Sequence, residues 1–212
     1  MAENKGLGEY EKSEFCNRFV LLDYQNHLYT PLVCTQNSDP RLQISPVSLN
    51  EGEKKFIDYL KEYTDNHAGE WNDKSLYILR NKSKSGIGFF EAGNFYPDFI
   101  LWIDTPEIQY ISFIDPKGLM HIMPDNQKIA FHKKIKELEA RLAPTAGDKK
   151  IVLNSFIMSV TPYYKLKQLW ETTTDVEITQ AWLQERNVYT LDNSECVELM
   201  IEKILKQPDI TA

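Results

Sequence analysis

Two apolar runs joined by a short polar segment constrain the fold of this chain more than any other feature. Residues 99–103 and 110–114 are rich in β-forming side chains, and the segment between them contains Pro106, which interrupts regular structure. This pattern predicts an antiparallel hairpin. If the hairpin is symmetric about its turn, Ile103 faces Tyr110, and the two apolar runs pair along their length.

The same pairing places Asp98 opposite Asp115 at the open end of the hairpin. Directly opposed side chains have Cβ atoms roughly 5 Å apart, and like charges held in this way are destabilising. A cation between the two carboxylates would reverse the sign of that interaction. Lys117 lies two residues beyond Asp115, so strand alternation puts its amine on the same side as Asp115. A plainer interpretation stays open, in which both acids are solvated hairpin ends and Lys117 is a salt-bridge partner.

Residues 97–98 (Pro-Asp) and 115–117 (Asp-Pro-Lys), separated by a hairpin, resemble the signature of the PD-(D/E)xK nucleases. The run GIGFFEAGNFYPD over residues 86–98 resembles the C-terminal nuclease domain of helicases related to the type III restriction enzyme Res subunit. The resemblance covers residues 45–160 and implies a restriction-endonuclease-like core, in which helices flank a mixed central sheet. Pro116 departs from the pattern, because a proline inside a strand removes a ladder hydrogen bond and could tilt the next side chain.

The resemblance also implies an activity, which is Mg²⁺-dependent endonucleolytic cleavage of DNA, with Mn²⁺ as a substitute. It assigns Asp98 and Asp115 as metal ligands, together with an acid from a helix before the hairpin, and Lys117 as the group that orients or deprotonates the attacking water. The residue types suit this chemistry, because Mg²⁺ is held by one or two carboxylates plus water and phosphate, and it stabilises charge on phosphoryl oxygens.

The third acid is expected from the helix that begins near residue 50. Either Ser48 or Asn50 can serve as its N-cap, the latter in a capping box with Glu53. Glu53 lies at the start of the apolar face, where a carboxylate needs a partner, and a metal ion or a capping N–H would each provide one. Glu53 is therefore the match to the family's helix acid. Glu51 is the neighbour that could be confused with it. Glu91 is a further candidate, although a satisfied loop carboxylate explains it better.

The remaining pattern predicts an α/β chain. Residues 1–45 read as a polar lead and an N-terminal β-hairpin extension, and residues 46–212 read as the nuclease-like domain. Helical stripes, β-rich runs and caps predict the following elements: a helix after residue 50 with Phe56, Ile57, Leu60 and Tyr63 buried, a strand over 76–79, the central hairpin, a helix capped by Asp125 or Asn126, a strand over 151–160, a helix over 176–186 stopped by Asn187, a strand over 188–191, and a last helix capped by Ser194.

The charge balance bears on partners. A net charge of −7 argues against a strongly basic, autonomous DNA-binding protein. Residues 128–150 carry seven Lys and Arg against three acids, which indicates either a phosphate-facing surface or a solvated helix face. Three widely spaced cysteines predict reduced thiols in a cytoplasm, and no apolar run approaches the ~20 residues that span a membrane.

The resemblance implies that the chain is the nuclease module of a restriction or phage-defence helicase. Its expected partners are DNA and a helicase/ATPase portion of the same or a partner chain, with no membrane partner. The sequence leaves open DNA versus RNA and association into a homo-oligomer. The alternative, from a different functional class, is a non-catalytic nucleic-acid-binding or assembly module that keeps the same fold.

Overall fold

The computed structural model describes residues 19–22, 32–35, 47–82, 86–89, 95–142 and 149–206. The strands are β1 (Phe19–Leu22), β2 (Leu32–Thr35), β3 (Ser75–Arg80), β4 (Phe99–Asp104), β5 (Ile108–Lys117), β6 (Lys150–Ser159) and β7 (Val188–Thr190). The helices are α1 (Glu51–Asn66), α2 (Gln127–Leu142), α3 (Tyr163–Thr173), α4 (Gln180–Glu185) and α5 (Glu195–Leu205), with a 3₁₀ turn over Ala68–Trp71.

A five-stranded mixed sheet in the order β3-β4-β5-β6-β7 forms the centre of the fold. The pairs β3–β4 and β4–β5 are antiparallel, whereas β5–β6 and β6–β7 are parallel. The predicted α/β class with a mixed central sheet is thereby confirmed. The predicted hairpin register is also confirmed, since Ile103 pairs with Tyr110 and Phe99 with Ile114. β4 begins at Phe99, so Asp98 lies directly before the ladder.

Helices cover both faces of the sheet because strand side chains alternate. Phe99, Leu101 and Ile103 of β4 are buried in the same cluster as the apolar faces of α1 and α5. Ile100, between them in sequence, is buried in a separate cluster with Phe131 and Ile135 of α2. The predicted stripe of α1 is confirmed, since Phe56, Ile57, Leu60 and Tyr63 are all buried.

Two predictions about the C-terminal helices are wrong in part. The helix predicted over 176–186 is only Gln180–Glu185, because the Thr179 hydroxyl accepts from the Trp182 N–H and starts the helix there. Ser194 precedes α5, but its backbone is helical and its hydroxyl makes no cap bond. It contacts the Glu62 carboxylate instead, at 3.3 Å. The predicted stop at Asn187 is confirmed by its positive φ of 55°.

The N-terminal strands β1 and β2 pair in an antiparallel manner, as the predicted hairpin requires. Leu32 is buried in the same core cluster as α1. The division into an extension over 1–45 and a domain over 46–212 stays a prediction. Across the described ranges, no helix combines the length and the apolar character that a membrane crossing needs.

The first turn of α1 approaches the end of β6 closely at Gly52. A Cβ atom added there would lie 2.4 Å from Cγ1 of Val160, which is closer than side chains pack. We therefore expect Gly52→Ala to lower the free energy of unfolding by about 1–3 kcal/mol, although alanine is the better helix former. Denaturant unfolding measures this change.

Two further variants test whether contact with Val160 causes the expected destabilisation. In a Val160→Ala background the obstructing methyl group is gone, so Gly52→Ala should become neutral or stabilising. Gly69 is the control, because a methyl group added there meets no atom within 4 Å. Equal destabilisation by Gly52→Ala in both backgrounds would show that contact with Val160 is not the cause.

Candidate active site

An open cleft of about 730 Å³ lies at the end of β5. The first turn of α1, the segment before β4, the last residues of β5 and the first turn of α2 line it. Ligand sites of α/β sheets commonly lie at the carboxyl ends of parallel strands, and β5 is parallel to β6. The cleft contains Asp98, Asp115 and Lys117, the three side chains that the sequence predicts to converge.

Asp115 and Lys117 form a fixed ion pair in this cleft. The Lys117 Nζ donates to Asp115 Oδ2 at 2.8 Å, and the Asp115 residue is only 2% exposed. The two side chains lie on one side because they are separated by one residue of a continuous strand. Burial opposes the charge of the amine, but the Asp115 carboxylate outweighs it, and the pKa of Lys117 is raised. Lys117 is therefore a permanent cation of the site.

Pro116 does not disturb this pair. β5 continues through Lys117, whose carbonyl accepts from the Val160 N–H on the β6 side. Because neighbouring residues of a strand turn their peptide groups to opposite sides, Pro116 turns towards β4. The β4–β5 ladder ends at Phe99 and Ile114, so the missing N–H of Pro116 lies beyond the last pair. The expected loss of a ladder hydrogen bond is therefore not found.

Asp98 completes a cluster of like charges. Its pKa is raised to about 7 by burial, by the Asp115 charge, by the Glu53 charge and by a hydrogen bond with Asp115, against a smaller opposing effect of Lys117. The Asp98 carboxyl group is therefore partly protonated at neutral pH. The predicted proximity of Asp98 and Asp115 is confirmed by the hydrogen bond between them and by the register of β4 with β5.

Asn81, which the sequence analysis did not single out, positions Asp98. Its backbone N–H donates to the Asp98 carbonyl and its side-chain amide to the Pro97 carbonyl, both at 2.8 Å. Its side-chain oxygen accepts from the Ile87 N–H at 3.0 Å, which attaches a neighbouring loop to the same point. In the sequence, Asn81 is a polar residue directly after the β3 run, and that position alone does not indicate a role.

The same loop forms part of the cleft wall. Tyr96 lines the cleft, and its ring covers Gly88 so closely that an added Cβ would lie 2.3 Å from the ring. Phe89 and Phe95 pair through a β-bridge beside them. The segment that leads to Asp98 is thus packed against the loop over residues 86–89.

Glu53 lies close to the cluster but is committed to other partners. Its carboxylate accepts from the Asn50 N–H at 2.9 Å, and the Asn50 side chain accepts in return from the Glu53 N–H at 2.9 Å. The N-cap is therefore Asn50 and not Ser48. Arg80 at the end of β3 also donates to Glu53 at 3.0 Å. The capping interpretation of Glu53 is confirmed, whereas a role as metal ligand stays a prediction.

The other two acids of the sequence analysis are Glu51 and Glu91. Glu51 is exposed and lines the edge of the cleft. Glu91 lies outside the described residues. Among the residues that the structure describes, no group of three or more His, Cys, Asp or Glu side chains is arranged to hold a metal ion. The site therefore offers two facing carboxylates, which is within the number that Mg²⁺ takes from proteins, the remaining ligands being water and substrate oxygens.

Lys128 is a functional candidate that the sequence alone does not distinguish from the other lysines of residues 128–150. It lies in the first turn of α2 and lines the cleft beside Lys117. Burial and the Lys117 charge lower the pKa of Lys128. Other lysines of the basic segment are paired with acids, since Lys136 bonds to Glu139 and Lys149 to Asp104, each at 2.9 Å.

Comparison of the chain with protein-family models, with curated protein sequences and with solved structures found no match in any of the three.

Burial of Asp98 and its repulsion by Asp115 predict a pH-dependent stability. The pKa of Asp98 is about 7 in the folded protein and near the ordinary value of 3.8 when unfolded, so the folded state binds more protons between these values. The contribution of Asp98 to stability therefore falls as pH rises from about 4 to about 7.

Asp98→Asn removes this titration. Without divalent metal, we expect the variant to be more stable than the parent at pH 8 by about 2 kcal/mol, and the difference to shrink at pH 5. Thermal and denaturant unfolding at both pH values measure it, with Asp65→Asn, an exposed acid of α1, as control. A difference that is independent of pH would show that the pKa of Asp98 is not raised in the folded protein.

Proposed function

We propose that this protein is a metal-dependent DNA endonuclease of the PD-(D/E)xK type, with a restriction-endonuclease-like core. The observation that carries the proposal is the convergence of Asp98, Asp115 and Lys117 in one cleft at the end of β5. The order of elements supports it, because α1, the three strands β3 to β5, α2 and β6 follow one another as the resemblance implies. Activity depends on this cluster and not on the fold alone.

In this proposal Asp98 and Asp115 hold the metal. Bound Mg²⁺ would supply charge stabilisation on the phosphoryl oxygens and acidify a bound water. The chain's own residues provide the conditions for this. The buried Asp115 carboxylate is held by Lys117, and Asp98, whose pKa is raised to about 7, would lose its proton when a cation binds between the two acids.

Lys117 has a separate role in the proposed reaction. A water oxygen attacks the phosphorus, the bond to the leaving oxygen breaks, and a proton must leave the water while another reaches the leaving group. The Lys117 ammonium, held at 2.8 Å from Asp115, is placed to orient the water by donating to it and to offset the negative charge that develops on the phosphoryl group.

Glu53 acts at the edge of this arrangement. Its bonds to Asn50 and Arg80 anchor the start of α1 against the end of β3, next to the cleft. To serve as a third metal ligand, Glu53 would have to exchange Arg80 for the cation. We propose the anchoring role as its main contribution and metal ligation as an exchange that substrate binding drives.

The wider proposal is that this chain is the cutting module of a restriction or phage-defence helicase in the cytoplasm. DNA is the substrate, and a helicase/ATPase portion of the same or a partner chain supplies most of the affinity for DNA. The net charge of −7 supports this division, because an acidic chain gains little from the phosphate backbone at a distance.

The second candidate is a non-catalytic binding or assembly module. The commitment of Glu53 to its cap and to Arg80 favours it, since only two of the proposed acids then face each other. Metal binding and cleavage distinguish the two candidates directly.

Cleavage is the first test. Plasmid DNA incubated with the protein and Mg²⁺ or Mn²⁺ should be cut, and a chelator should abolish cutting. Asp115→Asn and Lys117→Met should each lower the rate by roughly 10²–10⁴-fold, because each removes a group that acts on the transition state. Asp65→Asn should cut at the parent rate. Parent-rate cutting by either site variant would contradict the assignment.

Metal binding is the second test, and it does not depend on activity. Calorimetry in two buffers of different ionisation enthalpy should show that Mg²⁺ binding releases a proton, and the affinity should rise with pH up to about 7. Asp98→Asn should abolish both the binding and the proton release, whereas Glu53→Gln should weaken binding only modestly if Glu53 is mainly an anchor. Binding without proton release would place the metal elsewhere.

A further inference from the structure

The cleft holds two adjacent amines as well as two adjacent carboxylates. The Lys117 amine is bonded to Asp115, and Lys128, in the first turn of α2, lines the same cleft close enough for the two lysine charges to interact. In the part of the chain that the structure describes, no carboxylate lies at ion-pair distance from Lys128. The side chain nevertheless stays half-buried against another cation and does not extend into solvent.

This arrangement is unfavourable by itself. Two like charges in a partly buried cleft repel each other more strongly than they would in water. Lys128 also lies at the positive end of the α2 dipole, although Asn126 Oδ1 already accepts from the Lys128 N–H at 3.0 Å. An anion placed between the amines would convert the repulsion into attraction. The acids of the cleft therefore favour a cation and its amines favour an anion, side by side.

Lys128 differs in its contacts from Lys55, the third lysine that lines the cleft. Lys55 of α1 also lines the cleft, but its amine lies over the ring of Tyr59, 5.6 Å from the ring centroid. That contact already stabilises the Lys55 charge. Lys128 makes no ion pair or ring contact among the described residues. The Asp115 and Asp98 charges favour its ammonium form from a distance, but burial and the Lys117 charge outweigh them.

We propose that Lys128 and Lys117 form an anion subsite that holds a phosphate group of a nucleic-acid backbone against the Asp98–Asp115 pair. The inference rests on the proposed function, since the phosphate belongs to the substrate of that site. Lys128 is a binding residue in this proposal, and it contacts phosphate oxygens directly. The proposed subsite also explains how a chain of net negative charge can bind a polyanion, because the two lysine cations lie inside the cleft.

The test compares lysine variants in binding and in cleavage. The probe is a short fluorescent DNA duplex, with anisotropy measured in chelator and again in Ca²⁺. We expect Lys128→Gln to weaken binding about ten-fold and to reduce the slope of log affinity against log salt by about 1. Lys128→Arg should keep the parent affinity. Lys133→Gln is the matched control, because Lys133 is exposed on the same helix.

The outcomes separate this inference from the proposed function. Mg²⁺ binding to Lys128→Gln should equal that of the parent, and its thermal midpoint should be equal or higher because a like-charge contact is removed. If the parent cuts DNA but Lys128→Gln keeps the parent affinity, KM and salt slope, the subsite is overturned and the nuclease stands. Equal losses in Lys128→Gln and Lys133→Gln would also overturn it, since the whole helix face would then bind. If the parent binds DNA through Lys128 but does not cut, the nuclease fails and the subsite stands.

Discussion

The register between β4 and β5 is the constraint on which the rest of the structure depends. Ile103 opposite Tyr110 and Phe99 opposite Ile114 bring the start of one strand next to the end of the other. A slip of one residue would turn every side chain of β5 to the opposite face of the sheet. Asp115 would then leave the cleft, and the apolar residues of β5 would leave their clusters. Core packing and the position of the acids therefore depend on the same pairing.

The fold holds the acid pair together against its own electrostatics. Burial and repulsion raise the pKa of Asp98 to about 7, so the protein keeps two carboxyl groups close although one of them must bind a proton to be tolerated. Neighbouring contacts keep the pair in place, since Asn81 holds the backbone before β4 and Arg80 anchors the start of α1 through Glu53. Such a concentration of unfavourable charge is typical of functional sites, where local stability is given up for binding or catalysis.

The features that depend on short-range rules could be predicted from the sequence. Two apolar runs about a proline-containing turn predict the hairpin register, and the spacing of Phe56, Ile57, Leu60 and Tyr63 predicts the buried face of α1. Features that depend on a contact with a distant part of the chain could not be predicted. Ser194 has the residue type of a cap, but its hydroxyl contacts Glu62 of α1 instead. Lys128 is one of several lysines in its segment, and only the docking of α2 brings it beside Lys117.

The contact between Gly88 and Tyr96 has a consequence for what the cleft can admit. The Tyr96 ring occupies the space that any side chain at residue 88 would need, with 2.3 Å left for a Cβ atom. Since that ring is part of the cleft wall, a larger residue at 88 would displace it and reshape the entrance. The width of the cleft entrance is therefore governed by a residue that has no side chain.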